Sequence, residues 1–175
     1  MESAAKIKEI LQAASTEKLP EFIAEYETDP RSGVQKLVAS ARKKLDALEK
    51  EKQRIENLKK YEREYAQYSY ICGIDEVGRG PLAGPVVAGA VILPKDCHIL
   101  YINDSKQLSE KKREELYDVI TREAVAWAVG YASPKRIDEI NILQATYEAM
   151  REAIGKLTPA PDLLLNDAVT IPGVN

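Results

Sequence analysis

Residues 71–93, with the sequence ICGIDEVGRGPLAGPVVAGAVIL, decide the fold of the part of the chain that follows them. β-Branched and apolar residues fill both ends of this stretch, and glycines and prolines fill its middle. The pattern predicts two strands, residues 71–74 and 86–93, with a short connection between them. Because that connection is too short for a helical crossover, we expect the sheet to be mixed rather than purely parallel.

Helical and strand-like segments alternate in the rest of the chain. Ser109 is placed to cap a helix, and Ser133 followed by Pro134 starts another. The apolar pattern then predicts, in order, a helix over residues 109–124, a strand over 125–131, helix over 133–157 and a strand over 161–167. This order predicts a three-layer α/β domain in which helices flank a mixed sheet.

Residues 1–66 have a different composition, rich in Ala, Lys, Glu and Leu and with Gly33 as the only glycine. We expect helix throughout this region, with breaks near Pro20 and Pro30. After Gly33 the apolar residues keep a helical spacing, which predicts one long amphipathic helix. The sequence therefore divides into a helical N-terminal extension, residues 1–66, and an α/β domain, residues 67–175.

Composition excludes several classes of protein. Of the 175 residues, 45% are hydrophobic and 30% charged, which is typical of a soluble globular protein. The longest apolar run, residues 82–93, is too short to span a membrane, so we expect a cytoplasmic protein with no membrane partner. Cys72 and Cys97 have neither metal-ligand nor framework spacing and are expected to be reduced thiols.

Net charge and histidine content limit the chemistry further. A net charge of −3 does not itself indicate nucleic-acid binding, and the small basic cluster Lys111-Lys112-Arg113 is typical of a solvated helix face. The only histidine, His98, follows an apolar run in a polar connection, which predicts a surface loop. Metal chemistry would therefore depend on oxygen ligands, which favour magnesium, manganese or calcium.

Three acidic positions are candidates for a site. Asp75 and Glu76 follow a predicted strand and precede a glycine-rich bend, although strand geometry alone would send them to opposite faces. An acidic pair facing solvent is the alternative. Asp167 ends the strand over 161–167, where an unpaired buried carboxylate would be unfavourable and a bound cation would stabilise it. Residues 103–109, NDSKQLS, combine polar groups before a helix and could equally form a simple capping turn.

The glycines after Glu76 invite comparison with phosphate-binding loops. The spacing from Gly78 and Gly80 to Gly84 is one residue too long for the dinucleotide fingerprint, and a strand follows where that fingerprint needs a helix. A nucleotide-binding domain is thus disfavoured. Glycines on both sides of Arg79 can instead let the backbone approach a sugar-phosphate closely.

Three motifs carry a resemblance to a known family. Residues 73–86, GIDEVGRGPLAGPV, resemble the opening motif of the ribonuclease HII family. Residues 104–109, DSKQLS, resemble its second motif, and residues 161–169, PDLLLNDAV, resemble the strand that bears its third catalytic acid. The resemblance covers roughly residues 70–175, and the helical extension resembles that of family members from low-GC Gram-positive bacteria.

The resemblance implies an RNase H-like mixed sheet flanked by helices and preceded by an α-helical N-terminal extension. It also implies that Asp75, Glu76 and Asp167 bind the metal and are catalytic. Gly78, Arg79 and Gly80 would read the junction between a ribonucleotide and a deoxyribonucleotide, where the 2′-hydroxyl distinguishes RNA from DNA. Lys106 would contact a phosphate.

The activity implied is that of an endoribonuclease acting on the RNA strand of RNA–DNA hybrids and on single ribonucleotides embedded in duplex DNA. Two Mg²⁺ or Mn²⁺ ions about 4 Å apart would assist hydrolysis on the 5′ side of the ribonucleotide, leaving 3′-hydroxyl and 5′-phosphate ends. We expect the protein to be a monomer.

The family's fourth acid and a substrate-sensing tyrosine belong to motifs beyond Asn175, so the sequence looks cut short. We therefore expect this stretch to bind metal weakly and to cleave poorly unless the missing part is supplied. The alternative is a catalytically weak or inactive domain that only binds duplex nucleic acid or a partner protein.

Overall fold

The computed structural model describes residues 2–81, 83–167 and 170–174 and contains two compact units. The first unit ends at Leu58 and the second begins at Lys59. The first unit consists of helices α1 (Ala4–Ala13), α2 (Leu19–Tyr26) and α3 (Ser32–Leu58). The predicted breaks near Pro20 and Pro30 are confirmed, and so is the long helix that follows Gly33.

The first unit has a core of its own. Ser3 caps α1 by accepting a hydrogen bond from the backbone N–H of Lys6, and Pro20 occupies the first turn of α2, where its missing N–H is not needed. Apolar residues at helical spacing pack together from all three helices: Ile7, Leu11, Leu19, Phe22, Tyr26, Val34, Val38 and Ala41. The N-terminal part of α3 therefore packs on α1 and α2.

A mixed sheet forms the centre of the second unit. Its strands are β1 (Ile71–Val77), β2 (Val86–Ile92), β3 (Ala126–Ala132) and β4 (Leu163–Leu165), in the spatial order β3-β2-β1-β4. Neighbouring strands are antiparallel from β1 to β3, whereas β4 is parallel to β1. The prediction of a mixed α/β sheet is confirmed.

The described residues of the second unit include helices α4 (Lys60–Glu64), α5 (Glu110–Glu123), α6 (Pro134–Ile140) and α7 (Ile142–Gly155). The prediction of continuous helix over residues 133–157 is wrong at Asn141. This residue has a φ of +70°, outside the helical range, and its side chain accepts hydrogen bonds from the N–H groups of Leu143 and Gln144. Asn141 therefore ends α6 and caps α7.

Helix α7 packs on one face of the sheet. A Cβ at Gly130 would collide with the backbone of Ala149, so only glycine lets strand and helix approach this closely. On the other face, Tyr117 of α5 contacts Trp127 of β3 edge-on, with ring centroids 6.1 Å apart. The main buried residues of this core are Cys72, Ile74, Val86, Ala88, Ala90, Ile92, Ala128, Ala145, Ala149, Met150 and Ala153.

Side chains in the last turn of α7 and directly after it also contact the outer edge of β3. The Lys156 ammonium donates a hydrogen bond of 2.9 Å to the carbonyl of Val129, and the Glu152 carboxylate accepts one of 2.9 Å from the N–H of Tyr131. Lys156 and Glu152 form an ion pair of 2.6 Å with each other. Two main-chain groups of an edge strand are thereby satisfied without a neighbouring strand.

Across the described ranges, helices long and apolar enough to cross a membrane are not found.

Candidate active site

Strand β1 carries two of the three candidate acids and runs to Val77, three residues beyond the predicted end. Its pairing with β2 stays regular there, with Asp75 opposite Gly89 and Glu76 opposite Ala88. Side chains therefore keep alternating between the two faces. Glu76 shares the face of the buried Ile74, and the exposed Asp75 lies on the other.

The register between β1 and β4 relates Asp75 to Asp167. The last matched pair of these parallel strands is Gly73 and Leu165. Asp75 and Asp167 each follow that pair by two residues, so both acids come after the point where the shared ladder ends. Because parallel strands run in the same direction, this places both acids towards the same end of the sheet.

In the described residues the ladder between β1 and β4 ends before the acids. The carbonyl of Tyr70, the residue before β1, accepts hydrogen bonds from the N–H groups of Asp162 and Leu163. The backbone N–H and C=O groups of the even-numbered residues of β1 therefore point towards β4. Glu76 is one of these even-numbered residues, so its N–H also points to the β4 side of β1. It donates a hydrogen bond of 2.8 Å to Oδ1 of Asp75, so this N–H is satisfied by a side chain of the same strand.

Glu76 has a cationic partner in the loop that follows β1. The guanidinium Nη1 of Arg79 lies 3.0 Å from the carboxylate Oε1 of Glu76, with the Glu76 side chain 19% exposed and that of Arg79 41%. The loop that contains three of the four candidate substrate contacts is therefore tied to one of the candidate metal ligands.

Asp167 lies at a bend two residues after β4 and is exposed. The expectation of a carboxylate inside an apolar strand is therefore wrong, because pairing stops at Leu165. Among residues 2–81, 83–167 and 170–174, no group of three or more His, Cys, Asp or Glu side chains is arranged to hold a metal ion. Asp75, Glu76 and Asp167 are carboxylates of the kind that Mg²⁺ and Mn²⁺ prefer, but in this arrangement they do not converge.

Gly78 and Gly80 differ in what the structure requires of them. Gly78 has a φ of +100°, and a Cβ there would collide with the carbonyl of Pro85, so the base of the β1–β2 connection needs glycine. At Gly80 a Cβ would meet nothing within 4 Å. Packing within the described residues thus explains why position 78 is a glycine, but it does not explain the glycine at position 80.

Lys106 lies in a short 3₁₀ turn, Ser105–Gln107, that precedes α5. Asp104 accepts a hydrogen bond of 2.9 Å from the N–H of Lys106, and Asn103 donates one of 3.0 Å to the Gln107 side chain. The segment is thus a capping turn, as one of the two alternatives predicted. Lys106 is exposed, and in the described part of the chain no hydrogen bond or ion pair connects it to the three acids.

Two residues with positioning contacts were not singled out from the sequence. Asp162 accepts hydrogen bonds from the N–H groups of Ser69 and Tyr70, at 3.0 and 2.9 Å, and so fixes the start of β4 beside the start of β1. Arg113 donates to carbonyls of the turn that carries Lys106. Asp162 lies in a quoted motif and Arg113 in a basic cluster, but neither pattern indicates a backbone partner.

Comparison with known proteins gives a consistent result. The sequence model of the family described as "Ribonuclease HII" matches residues 72–175, and that described as "Ribonuclease HII N-terminal domain" matches residues 3–66. The chain belongs to the ribonuclease HII family. The resemblance read from the three motifs is confirmed, and so is the RNase H-like α/β fold class.

Relatives of the family are similar over most of the chain. Ribonuclease HII of Lachnoclostridium phytofermentans is 65% identical over 149 residues, which are 85% of this chain and 59% of that protein. Ribonuclease HII of Clostridioides difficile is 50% identical over 175 residues, 99% of this chain and 69% of that protein. This chain thus spans about three fifths to two thirds of the length of these relatives.

Among solved structures, the ribonuclease H2 from Pyrococcus horikoshii OT3 is similar with a TM-score of 0.49 and 27% identity, covering 58% of this chain and 52% of that one.

Proposed function

We propose that this chain provides the metal-binding part of a ribonuclease H, an endoribonuclease that hydrolyses the RNA strand of RNA–DNA hybrids. Membership of the ribonuclease HII family supports the reaction class. The observation that carries the proposal is the β1–β4 register, which directs Asp75 and Asp167 towards the same end of the sheet.

Asp75, Glu76 and Asp167 are the residues that would hold the metal. All three offer carboxylate oxygens, which suit Mg²⁺ or Mn²⁺ better than zinc. If two such ions were held there, they would supply the Lewis-acid chemistry that activates a water for attack on the phosphodiester and stabilises the leaving oxygen. Arg79 holds the Glu76 carboxylate at 3.0 Å, so metal binding by Glu76 would have to displace this ion pair. No histidine or cysteine nucleophile is needed in this scheme.

The substrate contacts would lie on the loop after β1 and on the turn before α5. Gly78, Arg79 and Gly80 would approach the sugar-phosphate backbone at a ribonucleotide, where the 2′-hydroxyl marks the site. Lys106 would contact a phosphate through its exposed ammonium. This arrangement extends the proposed substrates to single ribonucleotides in duplex DNA, cut on the 5′ side to leave 3′-hydroxyl and 5′-phosphate ends.

The test is cleavage of an end-labelled DNA duplex that contains one ribonucleotide, with and without Mg²⁺ or Mn²⁺. Cleavage that needs the metal, is lost in Asp75→Asn and in Asp167→Asn, and persists in Asp96→Asn supports the proposal. Asp96 is an exposed acid in the connection after β2, so its substitution controls for the change in charge. Cleavage that persists in both site variants would contradict the assignment.

The second candidate is a domain that binds duplex without cutting it. The pairing of Glu76 with Arg79, and the absence of a converged group of acids among the described residues, favour weak metal binding. In that case the same duplex binds without metal and stays intact.

The domain division at residues 66 and 67, the monomeric state and the cytoplasmic location also belong to this proposal. The family matches to residues 3–66 and 72–175 support the division, whereas the compact units of the structure meet eight residues earlier, between Leu58 and Lys59. Light scattering on the purified chain tests the monomer, since a mass near 19.5 kDa is expected.

A further inference from the structure

The turn that carries Lys106 is connected to helix α5 by Arg113. The guanidinium Nη1 of Arg113 donates a hydrogen bond of 2.7 Å to the carbonyl of Leu108 and a longer one of 3.4 Å to the carbonyl of Ser105. These two carbonyls lie on either side of Lys106 in the sequence. One cation in the first turns of α5 thus holds both ends of the segment that presents the ammonium.

The turn has its own hydrogen bonds, which fix its shape but not its direction relative to α5. The N–H groups of Gln107 and Leu108 donate to the carbonyls of Asp104 and Ser105, at 2.9 and 3.2 Å. Asp104 also caps the turn through its side chain. None of these contacts involves α5. Arginine suits the connection to the helix, because its guanidinium carries several donors in a rigid plane.

The residue before Arg113 contacts the other end of the same segment. The Lys112 ammonium lies 5.0 Å from the centroid of the Tyr101 ring, a distance typical of a cation–π interaction. Tyr101 has a φ of +68°, which is unfavourable for a tyrosine and needs support from its surroundings. Consecutive residues of α5 therefore hold the start and the end of residues 101–108.

We propose that Arg113 is a positioning residue for Lys106, holding the turn so that the Lys106 ammonium is presented to a nucleic-acid phosphate. The inference rests on the proposed function, in which Lys106 makes that contact. Within residues 2–81, 83–167 and 170–174 the Lys106 ammonium has no hydrogen-bond or ion-pair partner, so it remains available to an anion. A pre-ordered turn reduces the conformational entropy that binding would otherwise remove.

The first measurement needs no ligand. Hydrogen exchange of the Gln107 and Leu108 amides is followed in the whole chain, in Arg113→Gln and in Lys111→Gln. Lys111 is exposed and has no contact with the turn among the described residues. Its replacement by glutamine removes the same charge as Arg113→Gln. We expect exchange at these amides to accelerate between about twofold and tenfold in Arg113→Gln alone. Equal exchange in the two variants would overturn the proposal.

The second measurement is a double-mutant cycle on binding. Fluorescence anisotropy with a labelled DNA duplex containing one ribonucleotide, in EDTA, gives affinities for Lys106→Gln, Arg113→Gln, the double variant and Lys111→Gln. We expect Arg113→Gln to weaken binding by about threefold to tenfold more than Lys111→Gln. That excess should disappear when Lys106 is already replaced. Arg113→Lys, which keeps the charge but replaces the planar guanidinium with an ammonium, should lose less than Arg113→Gln.

The outcomes separate the inference from the proposed function. If Lys106→Gln weakens binding and the effect of Arg113→Gln simply adds to it, Arg113 does not act through Lys106 and the inference is wrong. If Lys106→Gln leaves the affinity unchanged, the phosphate contact itself is wrong and the inference fails with it. If the unsubstituted chain has no affinity for the duplex, the proposed function is overturned along with the inference.

Discussion

Arg79 holds the carboxylate of Glu76 through an ion pair of 3.0 Å, within the loop that should receive substrate. Replacing Arg79 by glutamine should release Glu76 for metal binding. We expect Mn²⁺ affinity, measured by electron paramagnetic resonance, to rise by at most about fivefold, because partly exposed ion pairs are weak. Arg122→Gln, which breaks the exposed pair with Glu123, controls for the lost charge. Equal Mn²⁺ affinities of the two variants would show that the pair does not restrain Glu76.

Gly78 and Gly80 form a matched pair for substitution. Gly78→Ala forces a side chain into a φ of +100° and against the carbonyl of Pro85, so we expect a loss of at least about 2 kcal/mol in the free energy of unfolding. Gly80→Ala meets open space and should change that free energy by less than about 0.5 kcal/mol. Urea unfolding followed by Trp127 fluorescence measures both.

The same pair separates stability from recognition. If Gly80 lies against the sugar-phosphate backbone, Gly80→Ala should weaken binding of a duplex containing a ribonucleotide although the protein is as stable as before. Unchanged affinity of Gly80→Ala would remove Gly80 from the proposed substrate contacts.

The two cysteines should differ in reactivity. Cys72 lies in the core of the sheet, and burial raises the pKa of its thiol to about 11, whereas Cys97 is half-buried in a connection. Because the thiolate is the reactive form, we expect a maleimide at pH 7.5 to label Cys97 and to leave Cys72 unmodified in the native chain. Labelling both in urea is the control. Rapid native labelling of Cys72 would show that the sheet opens.

Acid should weaken the N-terminal helical unit through Asp29. Its carboxylate accepts hydrogen bonds from the side chain and the backbone N–H of Arg31, which lowers its pKa to about 2. A carboxyl whose pKa is depressed on folding stabilises the native state above its unfolded pKa, near 3.9, and this stabilisation is lost as the pH falls towards 2.

Asp29→Asn should therefore accelerate amide exchange in α1–α3 at pH 6, and its difference from the unsubstituted chain should shrink as the pH approaches 2. Glu9→Gln, at an exposed position of α1, should have no such pH-dependent effect. A constant difference across the pH range would mean that the Asp29–Arg31 contact does not contribute as the geometry indicates.

Much of the fold follows from local sequence. The β-branched runs around Cys72 and Ala90 and the proline-marked helix start at Pro134 are signals that short-range preferences produce directly. The break at Asn141 does not follow from the apolar spacing, which continues through this position, although asparagine itself favours caps over helix interiors. Its conformation depends on the turn between α6 and α7, which pack on each other.

The site was harder to predict than the fold. The motif indicates which acids matter, but the face that each presents depends on how far β1 stays paired with β2, and this pairing extends to Val77. The place of Asp167 depends on a three-residue ladder with β1 and on the contact of Asp162 with the backbone of Ser69 and Tyr70. Such long-range contacts leave no periodic pattern in the sequence.

The ion pair that lies along the rim of β3 affects how copies of the chain can meet. A strand approaching from a second molecule finds the carbonyl of Val129 and the N–H of Tyr131 already engaged by Lys156 and Glu152. It would have to displace both charged groups, and separate them from each other, before its first main-chain hydrogen bond could form. Edge-to-edge pairing of β3 between two copies of the chain is therefore unfavourable, even at high protein concentration.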